Sequence, residues 1–266
     1  MREGPLTGYG GQVAEKGPSA RIAIIGVQGA GKTTLYCALT GLEATRAAAH
    51  QGKIAAAAVR ILDPRLLAAH QKNGPEKKLV APSIEFLDTP ALWLEGPEKQ
   101  DNAGVFAQFR DADGFVLVLK AYEEGSKPAQ QLEAIKGELF LADVDIMQKR
   151  IAKLRLDVKK SLTNRDELTR ELAVLEKLLE AVSGGDAKAF QSITEDDTKK
   201  IKGFQFFSRK PMLALANVSE MEISKPPFSP AAAFKLEQEL SAMEEGERLS
   251  FMKEYGMTAL VTADYA

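Results

Sequence analysis

Between residues 26 and 34 the chain reads GVQGAGKTT, a spacing of glycines, one lysine and two threonines suited to holding phosphates. Gly26, Gly31, Lys32 and Thr33 satisfy the pattern G-x-x-x-x-G-K-[ST], in which backbone N–H groups ring phosphate oxygens and the N-terminus of the following helix adds positive potential. Side chains would block that close approach, so the loop is glycine-rich, with the peptide groups of Gly29 and Ala30 forming part of the same cradle. Lys32 is expected to bridge the β- and γ-phosphates, Thr33 to ligate Mg²⁺ through its hydroxyl, and Thr34 to reach the α-phosphate. A site of this kind needs a carboxylate at the end of a neighbouring strand to hold the metal's water shell. The run SIEFLD ends in Asp88, the candidate for that role; the bland alternative is a turn residue before Thr89-Pro90.

The elements that must position these residues are legible as apolar runs. RIAIIG before the loop reads as a buried strand and TLYCALTGL after it as a helix. Further strands are expected at 53–61, 83–88, 114–120 and 211–216, with another candidate at 228–234. Their alternation with helical stretches predicts an α/β fold, a doubly wound, mostly parallel sheet.

Between the fourth and fifth strands the pattern changes. Phe140, Val144, Met147, Ile151, Leu154 and Val158 recur at alternating spacings of four and three, a heptad seam. Leu168, Leu172, Leu175, Leu179 and Val182 keep the same beat after the polar stretch SLTNRD. The spacing predicts an antiparallel helical hairpin whose stripes pack on each other. Lys149, Arg150, Lys153, Arg155, Lys159 and Lys160 are expected on its solvated side. TEDD at 194–197 sets a threonine cap before acidic first-turn residues, predicting a short helix that returns the chain to the core. The expected organisation is a flexible arm at 1–20, a nucleotide-binding domain from 21–127 and 203–266, and an inserted hairpin domain at 128–202.

Composition narrows the function classes. With 266 residues and 45% hydrophobic side chains the chain is long enough for a sizeable core. No apolar run is long enough to cross a membrane and the first residues lack a secretory signal, so a cytoplasmic protein without a membrane partner is expected. The net charge of -2 calls for no nucleic-acid partner, and sequence-specific DNA binding is not expected. One cysteine, Cys37, reads as a small buried hydrophobe, and with two histidines it makes a zinc site improbable.

Taken together, the residues resemble the YchF branch of the Obg family, the Obg-like ATPases within the translation-factor class of P-loop NTPases. Besides the phosphate loop, the resemblance rests on LDPRL at 62–66, PSIEFLD at 82–88, ELFLADVDIMQKRI at 138–151, ELAVLEKLL at 171–179, KPMLALANVSE at 210–220 and ERLSFMKEYG at 247–256. It spans most of residues 21–262, and the family also inserts a helical hairpin between nucleotide-domain strands.

The resemblance implies that Asn217-Val218-Ser219-Glu220 is the base-recognition element, with Asn217, Val218 and Glu220 at the base. Where ordinary GTPases have N-K-x-D, glutamate is one methylene longer and valine offers no cationic stem. The usual guanine preference is not expected, and ATP is favoured over GTP as substrate. Hydrolysis would be an in-line attack of water on the γ-phosphate, with Mg²⁺, Lys32 and loop N–H groups stabilising charge and Lys32 and Asp88 as the catalytic residues. Leu92 falls where many GTPases carry glutamine, which implies slow turnover.

Three departures stand out: Ala91 replaces the glycine of D-x-x-G, the stretch AAAHQGKIAAAA at 47–58 holds no switch threonine, and the chain stops near Tyr265, where the family continues into a carboxy-terminal TGS domain. The leading expectation is an Mg²⁺-dependent NTPase that couples nucleotide state to a macromolecular partner, the ribosome by resemblance. The alternatives are a nucleotide-binding relative that scarcely hydrolyses, and a protein whose functional part is the hairpin alone.

Overall fold

A computed structural model of the chain describes residues 20–42, 53–61, 64–73, 79, 81–98, 102–160, 164–186, 188–201, 203–257 and 260. The expected arm, apart from Ala20, and residues 47–52 of the first switch stretch lie outside the described residues.

The strands are β1 (Ala20–Gly26), β2 (Ala55–Arg60), β3 (Ser83–Asp88), β4 (Gly114–Lys120), β5 (Met212–Asn217) and β6 (Ala231–Ala232). They form one sheet in the order β2-β3-β1-β4-β5-β6. Neighbours pair in parallel except β2, which runs antiparallel to β3. The fold is thus α/β, a mostly parallel sheet with β1 near its centre. Ala23, Ile24 and Ile25 of β1 are completely buried, as a strand covered on both faces requires. The candidate strand at 228–234 shortens to two residues, because Pro230 supplies no N–H for a ladder and a helix begins at Phe234.

The helices are α1 (Lys32–Thr40), α2 (Pro64–Asn73), α3 (Asn102–Gln108), α4 (Pro128–Lys160), α5 (Arg165–Ser183), α6 (Glu195–Lys200), α7 (Phe234–Ser241) and α8 (Glu245–Glu254). Cys37 is buried on α1, as its apolar neighbours led one to expect. Gly41 ends that helix in the left-handed region, its N–H bonding to Cys37 O.

Helices α4 and α5 follow β4 and pack against each other as the predicted antiparallel pair. Met147, Ile151, Leu154, Leu175 and Leu178 form the centre of their seam, with Phe190, Ile201 and Phe206 closing its base. Two details differ from the sequence reading. Leu178 is more deeply buried than Leu179, and Glu171 takes a seam position because Arg150 crosses to meet it with two bonds of 2.7 Å. Arg150 therefore does not belong to the solvated side, and Arg155 pairs across the hairpin with Glu176 at 2.7 Å. The expected cap is present: Thr194 Oγ1 accepts the N–H of Asp197 at 3.1 Å, opening α6.

Asp143 fixes the root of the hairpin. Fully buried on α4, it accepts N–H bonds from Phe207 at 2.9 Å and Ser208 at 2.8 Å, with the Arg110 guanidinium at 3.5 Å. Arg110 also lies 4.1 Å from the centre of the Phe207 ring. Burial pushes the Asp143 carboxyl up, and these donors pull it back.

Candidate functional site

β1 carries Gly26 at its end, and the loop that follows turns into α1 through Gly29 and Gly31, both at positive φ. At Gly31 a side chain would collide with the Asn217 amide; at Gly26 an added Cβ would lie 2.5 Å from Val118 O. These two glycines are therefore required by close approach of backbone and neighbour. Lys32 opens α1 and is 8% exposed. Its ammonium donates to Gly26 O and Val27 O, each at 3.1 Å. Burial lowers the Lys32 pKa to about 8, against the opposing pull of Asp88.

Thr33 Oγ1 donates to Asp88 Oδ2 at 2.7 Å, so the first residue pair expected at a metal site is brought together by the β1–β3 pairing. Asp88 Oδ1 is buried with no hydrogen-bond partner. Burial raises the carboxyl, while Thr33 and Lys32 lower it. An unpaired buried oxygen is costly unless a cation or its water meets it. A hydroxyl beside an orphaned carboxylate oxygen is a hard-oxygen donor set that fits Mg²⁺. Thr89, next in the chain, is buried with its hydroxyl on Ile24 O at 2.8 Å.

The segment beyond Asp88 runs back along the loop. Leu92 N–H donates to Gly26 O at 3.0 Å, and its side chain is 1% exposed in the core. The position at which many GTPases carry glutamine thus presents an apolar side chain turned inward.

On the far side lies a cleft of about 670 Å³ lined by Gly29, Thr34, Tyr122, Asn217, Glu220 and Lys235, among others. Asn217, at the end of β5, uses its amide to tie the loop to α7: Nδ2 donates to Ala30 O at 3.0 Å and Oδ1 accepts from Phe234 N at 3.3 Å. Val218 borders the cleft yet is 3% exposed and packs in the core. Ser219 is engaged by Glu222 in a capping box, leaving Glu220 exposed at the cleft. The two halves of the expected site, phosphate end and base end, meet across Ala30 and Asn217.

Sequence reading missed Tyr122, Met221, Ala233, Lys235 and Leu236, which also line the cleft. Tyr122 donates its hydroxyl to Gly29 O at 2.6 Å. Its place just past the carboxyl end of β4, where such sheets bind ligands, was a usable signal. The β6–α7 residues had none, because β6 is too short to show a period.

A sequence model of the 50S ribosome-binding GTPase family matches residues 21–149. The chain is 27% identical over 264 residues to a ribosome-binding ATPase YchF of Haemophilus ducreyi, covering 89% of this chain and 71% of that one. A Bacillus subtilis protein of the same description is 27% identical over 278 residues, covering 91% and 74%. The solved structure of the Schizosaccharomyces pombe YchF GTPase superposes with a TM-score of 0.70 at 17% identity, over 96% of this chain and 76% of that one. By sequence the chain is similar to the YchF proteins along most of its length, and its α/β fold is that of the P-loop GTPases.

Proposed function

We propose that the protein binds a nucleoside triphosphate at the loop Gly26–Thr34, hydrolyses it slowly, and couples the nucleotide state to a macromolecular partner through the α4–α5 hairpin. The reading divides the chain into a nucleotide-binding domain, 21–127 and 203–266, and a hairpin domain, 128–202. The observation that carries it is the buried Lys32 ammonium, held on two loop carbonyls beside an Asp88 oxygen that lacks a partner. A buried ammonium held only by carbonyl hydrogen bonds, with Asp88 the charge acting on it, is poised for polyphosphate.

In this reading the loop N–H groups and the start of α1 surround the phosphates. Lys32 leaves Gly26 O and Val27 O to meet the outer phosphates and stabilise the charge that spreads over the γ-phosphoryl oxygens. Thr33 and Asp88 would hold Mg²⁺, directly or through its water, and the ion would supply charge neutralisation to the phosphates. Glu220, exposed at the cleft, is the acceptor for base N–H groups, with ATP favoured over GTP. The ribosome is proposed as partner because relatives carry that description, and the cytoplasm as the place of action. Among the described residues no helix is long and apolar enough to cross a membrane.

The test is side-by-side affinity for ATP, GTP, ADP and GDP with and without Mg²⁺, using Lys32→Ala as control. ATP at least about tenfold tighter than GTP, roughly 1.4 kcal/mol, supports the base assignment; preference for GTP overturns it, and absence of binding overturns the site.

A second reading, a nucleotide-binding protein deficient in hydrolysis, is favoured by Leu92, which faces the core and has no polar group to orient water. Phosphate release no faster in wild type than in Lys32→Ala, alongside tight wild-type binding, would select it. Ribosome association is tested by co-sedimentation with and without a non-hydrolysable analogue.

A further inference from the structure

We propose that Asn102 is the positioning residue that links the segment Ala91–Trp93 to the hairpin helix α4 through Glu138, so that the state of the phosphate site is transmitted to the root of the hairpin. The proposal rests on the nucleotide reading above and names the route within it.

Asn102 is the first residue of α3 and is 2% exposed. Its side-chain amide pairs with both polar groups of one residue: Trp93 N–H donates to Oδ1 at 2.9 Å, and Nδ2 donates to Trp93 O at 2.7 Å. Nδ2 also approaches Glu138 Oε2 on α4 at 3.4 Å. One amide thus stands where a neighbouring strand would stand for Trp93 and reaches the hairpin at the same time. Trp93 follows Leu92, whose N–H is bonded to the first glycine of the phosphate loop. If this segment shifts, Asn102 must follow it or leave its own buried amide unpaired. Fully satisfied polar networks of this kind are rigid.

Two features make Glu138 a point of leverage. Beside the link, a groove of about 400 Å³ bordered by Ala103, Phe106, Leu141 and Ile146 opens between α3 and α4, with Asn102 and Glu138 both on its lining. Further along α4, Asp143 is clamped by the Phe207 and Ser208 N–H groups and serves as the pivot. From Asp143 to Lys160 the continuous helix extends roughly 26 Å, against roughly 8 Å from Glu138 to Asp143, so a small rotation about Asp143 is amplified at the hairpin tip.

The test compares hydrogen exchange of the full chain with and without a non-hydrolysable ATP analogue and Mg²⁺, with binding heat recorded on the same samples. In wild type, analogue binding should change protection at residues 92–93 and at residues 135–147 of α4. Glu138→Ala should keep the change at 92–93 and reduce that on α4 by about threefold or more, while Glu138→Gln, which retains an acceptor, should restore it. Asn102→Ala strips three hydrogen bonds from a buried site, so the Glu138 variants carry the test. Heat of binding with no change on α4 in wild type, or with the same change in Glu138→Ala, overturns the link and leaves the nucleotide reading intact. No heat at all removes the nucleotide reading and the link with it.

Discussion

The Thr33 hydroxyl donates to Asp88 Oδ2 at 2.7 Å, while the other oxygen of the same carboxylate is buried and unpartnered. This pairing joins the start of α1 to the end of β3 and leaves one lone-pair set directed at nothing in the chain. Asp88→Asn should therefore abolish most of the gain in triphosphate affinity brought by Mg²⁺, about tenfold or 1.4 kcal/mol, while leaving affinity without metal nearly unchanged. Titrations at varied Mg²⁺ check it; equal metal dependence in both proteins would remove Asp88 from the metal site.

Lys32 is a cation kept out of water for the ligand's benefit. Its burial lowers its pKa to about 8, so the charge is a cost to the folded chain without phosphate. Lys32→Met should weaken triphosphate binding about a hundredfold or more, roughly 2.7 kcal/mol, yet lower the melting temperature by no more than about 3 °C. Calorimetric binding and thermal unfolding of the same samples separate the two effects.

Leu92 occupies a core position and not a catalytic one. Introducing the polar group common there in other GTPases, Leu92→Gln, should fail to speed phosphate release by more than about twofold, because the side chain is directed inward. It should also destabilise the fold by about 2 kcal/mol through burial of an amide. A large acceleration of phosphate release in Leu92→Gln would show that the segment turns toward the phosphates during turnover.

Across the hairpin, Arg150 holds Glu171 with two bonds of 2.7 Å, and Glu171 is 8% exposed. Arg150→Ala should cost about 2 kcal/mol, since it leaves a nearly buried carboxylate unpaired; the partial exposure of Arg150 keeps the figure below the fully buried range. Replacing both residues by methionine should recover all but about 1 kcal/mol of that loss. Urea unfolding of the single and double variants gives the comparison.

How far the sequence reached depends on whether a property is local. The glycine loop between an apolar run and a helix, the strand that ends in Asp88, the heptad beat of α4 and α5 and the Thr194 cap are all properties of neighbours along the chain. Their periods and spacings reflect backbone geometry, so they could be read without coordinates, and the α/β class followed from their alternation.

Contacts between distant segments were decided only by the tertiary structure. Arg150 reads as one more surface cation until the hairpin closes and brings Glu171 to it. Val218 and Leu92, both in stretches with a functional look, are turned into the core because β5 and the segment beyond β3 lie against it. Asn102 has no motif at all, and its role comes from meeting Trp93 and Glu138, 9 and 36 residues away. A sequence specifies such polar pairs only through the fold that assembles them: each donor has many possible acceptors along the chain, and burial selects the ones that remain.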